Sequence, residues 1–431
     1  MIFNKSDMFV LYNYHTIECI ETRLNFYTYF NVEFNDHESI IVLKTLRIMI
    51  RIWLLCYLVA VFTGCKKQTC KYNEHQFVYP VNIDIRNNIS VFDLFDSIEV
   101  IPLETQKESL IAWGIPQIYK NQIYILENRL SIVLCFDLNG KFLFRIDNTG
   151  RGPSEYQALW SLSFDPFNER LLLLETSGAI HEYTLDGHFI QKINPPKQLA
   201  SICEVEAVNK DTLLYYTRFS SPKIHFYSRQ TGKIVKDIYE EKEKLNSSPH
   251  LYHYNNQLYF LPSNHGNTVF NISDTELKPN YFWDFGKYNY NPEKLKLPQI
   301  NEEQWKKIEA KWKFANIPYS FGEIYENDTY CYLLLNLNHT ANFINKTPPQ
   351  QVHLFYNKHT GNYFIFDDFK EKIEFGFTIS MDNNYMNCSW NFIRKETLFR
   401  ANILREREKE ILQNMKEDDN MCIVRFRFKK L

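Results

Sequence analysis

The chain has no excess of charge of either sign: 49 lysines and arginines stand against 51 aspartates and glutamates over 431 residues. A polybasic nucleic-acid binder and an acidic disordered chain are both excluded, because each needs a single-sign field, and no nucleic-acid partner is expected. Glycine is scarce, at 13 residues, which excludes low-complexity and collagen-like chains. The apolar run Ile52–Phe62 has 11 residues, short of the roughly 20 that a membrane-spanning helix needs. Two cysteines are nowhere spaced as C-x-x-C and two histidines nowhere as H-E-x-x-H, so neither the spacing of a zinc framework nor that of a metalloprotease is present. Neither a G-x-S-x-G elbow nor a G-x-x-x-x-G-K-[ST] loop occurs. What the chain has in quantity is aromatic: 34 Phe, 28 Tyr and 7 Trp make up 16% of it, a level that favours strands.

The apolar run itself is informative. Lys44, Arg47 and Arg51 precede it, and Phe62-Thr63-Gly64-Cys65 closes it. Positive charge, a short hydrophobic stretch and small residues in that order read as a secretory signal over residues 49–64. The small residues before Cys65 resemble the lipobox of bacterial lipoproteins, with Phe62 where that family usually carries Leu. The resemblance implies a diacylglyceryl group on the Cys65 sulfur, cleavage before it and acylation of its amino group, and two or three acyl chains anchor stably. A linker then covers 65–76. Residues 1–48 carry Asp7, Glu18, Glu21, Glu33, Asp36 and Glu38, unlike a signal's leading segment, so translation is expected to begin at Met49 with 1–48 a gene-model extension. The chain after Gly64 keeps 44 basic against 45 acidic residues. Its address is expected to be the bacterial envelope, at the outer membrane, with a membrane contact through the lipid.

The remainder, 77–431, repeats itself. An apolar strand, a break, a second strand ending in a turn and a third strand recur as QIYILE…SIVLCFDLNGKFLFRI, RLLLLE…AIHEYTLDGHFIQKI, TLLYYT…KIHFYSRQTGKIVKDI and, later, QVHLFYNKHTGNYFIFDDF. Asn139-Gly140, Asp186-Gly187, Thr231-Gly232 and Thr360-Gly361 suit tight hairpins that need φ > 0. Gly140 to Gly187 is 47 residues and Gly187 to Gly232 is 45, while Gly232 to Gly361 spans 129. That longer interval holds an ordinary unit turning at Asp274-Thr275 and a lengthened one. The lengthening is 301–314, where Asn301 and Gln304 have capping-box spacing and Trp305, Ile308 and Trp312 share a helical face. Units of about 45 residues with four strands each are the mark of a β-propeller. Five units fill Leu110–Phe369. A sixth is assembled from FGFTIS, NNYMNCSWNFI and CIVRFRFKKL, with a helix carrying Leu404, Ile411, Leu412 and Met415 before the last strand. Strands around Phe77–Ile85 and Ile98–Leu103 are expected to close the ring against the last blade. The fold expected is all-β, a six-bladed β-propeller with a short helical insertion and a C-terminal helix. Cys135, Cys203, Cys331 and Cys422 lie in apolar strand-like runs and read as buried thiols.

Asn148-Thr149-Gly150-Arg151-Gly152-Pro153-Ser154-Glu155-Tyr156 resembles the G-x-G-P-x-E-[YF] segment of the six-bladed β-propeller lipoproteins, relatives of NHL-repeat and TolB-like propellers. In that family the segment joins the outer strand of one blade to the next, between strands like GKFLFRI and RLLLLE. The C-terminal Lys416-Glu417-Asp418-Asp419-Asn420 and CIVRFRFKKL echo the family's ending, with Met421 where a Pro is usual. The resemblance covers Phe77–Leu431 and implies architecture and address without catalytic residues.

No metal and no cofactor is expected. Gly150 and Gly152 read as a tight blade-to-blade turn, with Arg151, Pro153, Glu155 and Tyr156 completing the motif. Asp367-Asp368 and Asp418-Asp419 read as solvated turn residues, since neighbours on a strand point to opposite faces. His225, His250, His253, His265, His339 and His353 show no ligand spacing. The aromatic stretches 279–292 and 313–327 read as loops whose Tyr281, Trp283, Tyr288, Tyr290, Tyr319 and Tyr325 are candidate ligand contacts. The function expected is a lipid-anchored, non-catalytic binding or scaffolding module for a glycan, peptide or envelope protein. The second reading is a propeller enzyme of lactonase or lyase type, with channel carboxylates around a metal.

Overall fold

The computed structural model describes residues 77–240, 250–262, 266–289, 319–337, 350–373, 376–390, 398–399 and 403–430. Cys65, the signal, the linker, the 301–314 helix and Tyr290 lie outside the described residues. Strand β1 (Phe77–Pro80), helix α1 (Val91–Leu94) and strand β2 (Phe95–Pro102) come before the first complete blade. Four-stranded blades follow: β3 (Pro116–Tyr119), β4 (Gln122–Glu127), β5 (Ile132–Asp137) and β6 (Phe142–Ile146); then β7 (Leu159–Asp165), β8 (Arg170–Glu175), β9 (Ile180–Thr184) and β10 (Phe189–Ile193). The third blade is β11 (Ile202–Ala207), β12 (Thr212–Thr217), β13 (Ile224–Ser228) and β14 (Lys233–Ile238). The fourth is β15 (His250–Tyr254), β16 (Gln257–Leu261), β17 (Thr268–Ser273) and β18 (Glu276–Asp284), and the fifth β19 (Tyr319–Glu326), β20 (Tyr330–Leu337), β21 (Gln350–Asn357) and β22 (Tyr363–Phe366). The sixth combines β23 (Phe377–Met381), β24 (Tyr385–Trp390) and β25 (Cys422–Phe428) with β2, and helix α2 (Glu406–Asn414) sits between β24 and β25.

The result is the six-bladed β-propeller that the repeat implied. Its ring closes by antiparallel pairing of β2 with β25, from Phe95↔Phe428 to Pro102↔Cys422. The Ile98–Leu103 strand is therefore where the sequence put it, whereas the Phe77–Ile85 segment is not. β1 pairs in parallel with β18, Phe77↔Tyr281 to Pro80↔Asp284, as a fifth strand on blade four.

Second strands are mainly apolar because they are buried on both faces. In β4, Ile123 and Ile125 pack with Ile423 of blade six, while Tyr124 and Leu126 pack with Leu171 and Leu173 of blade two. In β8, Leu172 and Leu174 turn the other way, onto Leu213 and Tyr215 of blade three. Each such fully buried side chain contributes about 1.5–3 kcal/mol. The period of two thus assigns alternate residues to alternate blade interfaces. Hairpin turns behave as their chemistry requires: Gly140, Gly187, Gly232 and Gly361 all have positive φ. The blade-four turn reaches the same backbone without glycine, at Asp274 (φ 49°) and Thr275 (φ 68°). Leu404, Leu412 and Met415 around α2 are buried, with Ile411 packed beside them. Cys135, Cys203, Cys331 and Cys422, joined by Cys388, are buried free thiols.

Topology divides the ring into two faces. Each inner strand starts where the connector from the preceding blade ends, so connectors and second-to-third-strand turns share one face. First-to-second and third-to-fourth turns share the other. We call these the connector face and the turn face.

Candidate functional site

The 148–156 motif lies on the connector face between blades one and two. Gly150 N–H donates to Tyr156 O at 2.9 Å and Tyr156 N–H to Asn148 O at 3.1 Å, folding the segment onto itself. Glu155 N–H donates to Gly152 O at 3.1 Å, and the Glu155 carboxylate in return accepts Gly152 N–H at 2.6 Å. That carboxylate fills the space a Cβ at Gly150 would occupy. Tyr156 is fully buried, its hydroxyl accepting Asn148 N–H at 3.3 Å, and burial pushes its phenol well above the usual range. Its ring meets His181 edge-on at 5.4 Å, and burial holds the His181 imidazole below its ordinary pKa. Arg151 and Pro153 are exposed. The motif is a self-contained turn that clasps blade one to blade two.

The aromatic stretches fall out differently from the loop reading. β18 extends through Asp284 and is covered by β1, so alternate residues Tyr281 and Trp283 point inward and are 2% and 0% exposed. The Tyr79 ring lies 4.8 Å from Tyr281, 5.2 Å from Trp283 and 4.6 Å from Tyr356 of blade five, centroid to centroid. These two side chains are core, not surface. Tyr325 sits within inner strand β19, half-buried, and its hydroxyl donates to Thr378 O at 2.9 Å across the blade five–six boundary. Tyr319 opens the same strand. Tyr288 keeps a surface position, donating to Asp84 at 2.5 Å with Lys287 Nζ 4.7 Å from its ring centroid.

The inner strands β3, β7, β11, β15, β19 and β23 surround the axis. On β11, Glu204 and Glu206 share the half-buried side, while Cys203, Val205 and Ala207 are buried. Glu206 accepts from or shares a proton with His253 of β15 at 3.0 Å. Burial, aided by the Glu206 charge, raises the Glu204 carboxyl to about 7. Burial does the same for Glu323 on β19, also to about 7, beside Thr378. Such groups are expensive to ionise. Among the described residues no three His, Cys, Asp or Glu side chains are grouped to hold a metal ion. His225 is stitched instead to Asp237 (2.7 Å) and Thr217 (3.1 Å), and half-buried His353 meets the Tyr332 hydroxyl (3.0 Å). His265 and His339 lie outside the described residues. Asp367 pairs with Arg86 at 3.0 Å, and Asp419 caps its own turn by accepting Lys416 N–H at 2.8 Å.

The surface that stands out was not singled out from the sequence. Trp113, Ile115, Leu130 and Phe219 are 62%, 64%, 57% and 69% exposed, and Trp160 and Phe377 are exposed at the starts of inner strands β7 and β23. All six lie on connector-face segments. Their display is built: the buried Glu127 carboxylate accepts Trp113 N–H at 3.0 Å and Leu130 N–H at 2.6 Å, fixing two loops side by side. Gly114 lets the first loop pass tight over β4, since a Cβ there would meet Ile125 and the Leu126 carbonyl. Trp160 Nε1 donates to Cys203 O at 3.0 Å. The run Trp113-Gly114-Ile115-Pro116 was the available signal: apolar residues interleaved with breakers do not continue a strand.

A profile described as a domain of unknown function (DUF4934) matches residues 76–427. A Bacteroides fragilis protein proposed to be exported superposes with a TM-score of 0.62 at 14% identity, over 82% of this chain and 99% of that one. At that identity the likeness concerns the fold alone. A member of the DUF4221 family from Bacteroides vulgatus gives 0.48 at 12% identity, over 78% of this chain and 97% of that one. A virginiamycin B lyase from Staphylococcus aureus gives 0.33 at 13%, over 63% and 74%. Both scores are too low to carry an argument. No curated protein matches. Among the described residues no helix is long and apolar enough to cross a membrane.

Proposed function

We propose, taking as premise that the chain belongs to this DUF4934 family of propellers, that it is a non-catalytic binding module of the cell envelope that presents its connector face to a protein partner. One observation carries the reading: six exposed apolar side chains lie on one face, two of the loops being pinned by a buried carboxylate. Adjacent exposed apolar side chains, as at Trp113 and Leu130, mark interaction sites more often than scattered single residues do. Aliphatic Ile115 and Leu130 among the rings favour an apolar protein or peptide segment over a sugar, which would call for rings with polar handles. The chain as a whole, with 49 basic against 51 acidic residues, has no net charge of one sign to draw a partner from a distance. Anchoring through Cys65 is supported by the order of charge, apolar run and small residues before it, and export by the B. fragilis neighbour's description.

A photo-crosslinking amino acid at 113 or 219 tests the face, with the turn-face position 186 as control. Adducts to one envelope protein from 113 and 219 but not from 186 are expected. Equal adducts from all three, or none from 113 and 219, overturn the reading. Palmitate incorporation that is unchanged in Cys65→Ala removes the anchor.

A further inference from the structure

The opposite face carries a different chemistry. On the turn face, where blades five and six meet, Arg427, Lys429 and Lys430 stand over a cavity of 140 Å³ floored by Tyr330 and Phe428 and walled by Asn383. Three chain segments far apart in sequence build it: the β19–β20 turn, the β23–β24 turn and the end of β25. In this floor the Tyr330 and Phe428 rings stack at 5.6 Å and 22°. Lys429 and Lys430 are both exposed.

Three acids lie nearby, and each is also engaged elsewhere. Asp96 comes no nearer to Arg427 Nε than 4.0 Å, in a pair whose side chains are each 41% exposed. Asp328 is taken up by Tyr254 Oη at 2.7 Å and Asn383 Nδ2 at 2.6 Å. Asp382 accepts the backbone N–H groups of Asn384 and Tyr385 at 2.7 and 2.8 Å. The lining itself holds three cationic residues and no acid, so an anion is the ligand its charge suits.

We infer that this cavity binds a phosphate group on a small polar carrier. A guanidinium fork and two ammonium groups supply the positive charge and the N–H donors that a dianionic phosphate monoester takes. The volume far exceeds the roughly 15 Å³ that admits one water but falls short of the cavities that hold drug-sized ligands. The stacked rings offer an apolar floor to the carrier. A phosphatidic acid headgroup and a soluble phosphate monoester share this chemistry. The site lies on the turn face and does not rest on the connector-face reading.

Isothermal titration of the full chain at low ionic strength tests it with three probes: inorganic phosphate, glycerol 3-phosphate and short-chain, micelle-free dihexanoyl phosphatidic acid. Binding that weakens with added salt is expected, and it falls about tenfold or more in Lys429→Gln/Lys430→Gln and in Arg427→Gln. Lys233→Gln, on the edge of another blade, leaves it unchanged. Equal affinity for glycerol 3-phosphate and the lipid supports a soluble ester, and clearly tighter lipid binding supports a headgroup. No heat from any probe overturns the site, as does affinity that survives the double lysine change. Circular dichroism confirms that the variants remain folded.

Discussion

The carboxylate of Glu155 sits where a Cβ on Gly150 would have to go, and it holds Gly152 N–H at 2.6 Å. Glycine at 150 is therefore favoured by a side-chain contact and not by backbone angle. Gly150→Ala displaces the carboxylate and orphans the same N–H that Glu155→Ala orphans. Each change is expected to lower stability by about 1–2 kcal/mol. The double variant costs little more than either single one, because both remove one interaction. Urea unfolding of the three variants measures this, and additive costs would show that the two residues act separately.

Asn420 closes the ring from the other side. Its Oδ1 accepts Ile111 N–H at 2.9 Å, its Nδ2 donates to Glu104 O and Ser109 O at 2.8 Å, and its own N–H donates to Thr105 Oγ1 at 2.9 Å. Asn420→Ala leaves several buried groups unpaired at once. A loss of about 2–4 kcal/mol is expected in thermal or urea unfolding. A loss under about 1 kcal/mol would mean that water replaces these bonds.

Arg229 links blades two and three through Asp165 (2.6 Å) and Glu182 (2.9 Å), both fully buried, while Arg170 also pairs with Glu182. Removing Arg229 strands carboxylates that cannot reach water. Arg229→Met should cost about 3–5 kcal/mol. Arg229→Lys should recover only part of this, since an ammonium cannot reproduce the fork that serves both acids. Full recovery in the lysine variant would reduce the network to simple charge.

Glu204 and Glu323 give the fold a pH dependence of known sign. Both folded-state pKa values are raised, to about 7, chiefly by burial. Their stabilising contribution is complete below the unfolded carboxyl pKa and disappears as pH rises through the folded value. Stability should thus fall between about pH 4.5 and 7 from these groups. Glu204→Gln and Glu323→Gln should flatten that slope and gain about 1–2 kcal/mol each at pH 8, after allowance for their partial exposure. Unfolding free energies at pH 5 and pH 8 provide the comparison.

Trp113→Ala and Leu130→Ala should leave stability within about 0.5 kcal/mol, because neither side chain is buried. Glu127→Ala, which frees both loops, should lower stability by about 1–3 kcal/mol and weaken crosslinking from position 113 as well. Unaltered crosslinking in Glu127→Ala would show that the loops hold their places without it.

Much of the architecture was legible in the chain itself. Strand repeats of about 45 residues, glycine turns at 140, 187, 232 and 361, and apolar second strands are local patterns, each set by chemistry within a few residues. The closing strand at Ile98–Leu103 and the helix bearing Leu412 followed from the same rules. The aromatic clusters misled because exposure is not local. PNYFWDF resembles a loop until β1 lies along it, and the partner at Phe77–Pro80 is some 200 residues earlier in the chain.

The sequence alone determined the blade repeat, the closing strand at Ile98–Leu103 and the apolar strand setting of Cys135, Cys203, Cys331 and Cys422, since periodicity and turn chemistry act between near neighbours. Only the tertiary structure decided which surfaces remain for binding. It buried Tyr281 and Trp283 under a strand from the start of the domain, and it set Trp113 beside Leu130 through one carboxylate. It also gathered Arg427, Lys429 and Lys430 around a cavity walled by two distant turns. The physical reason is common to all three: burial and charge density depend on what other parts of the chain bring alongside.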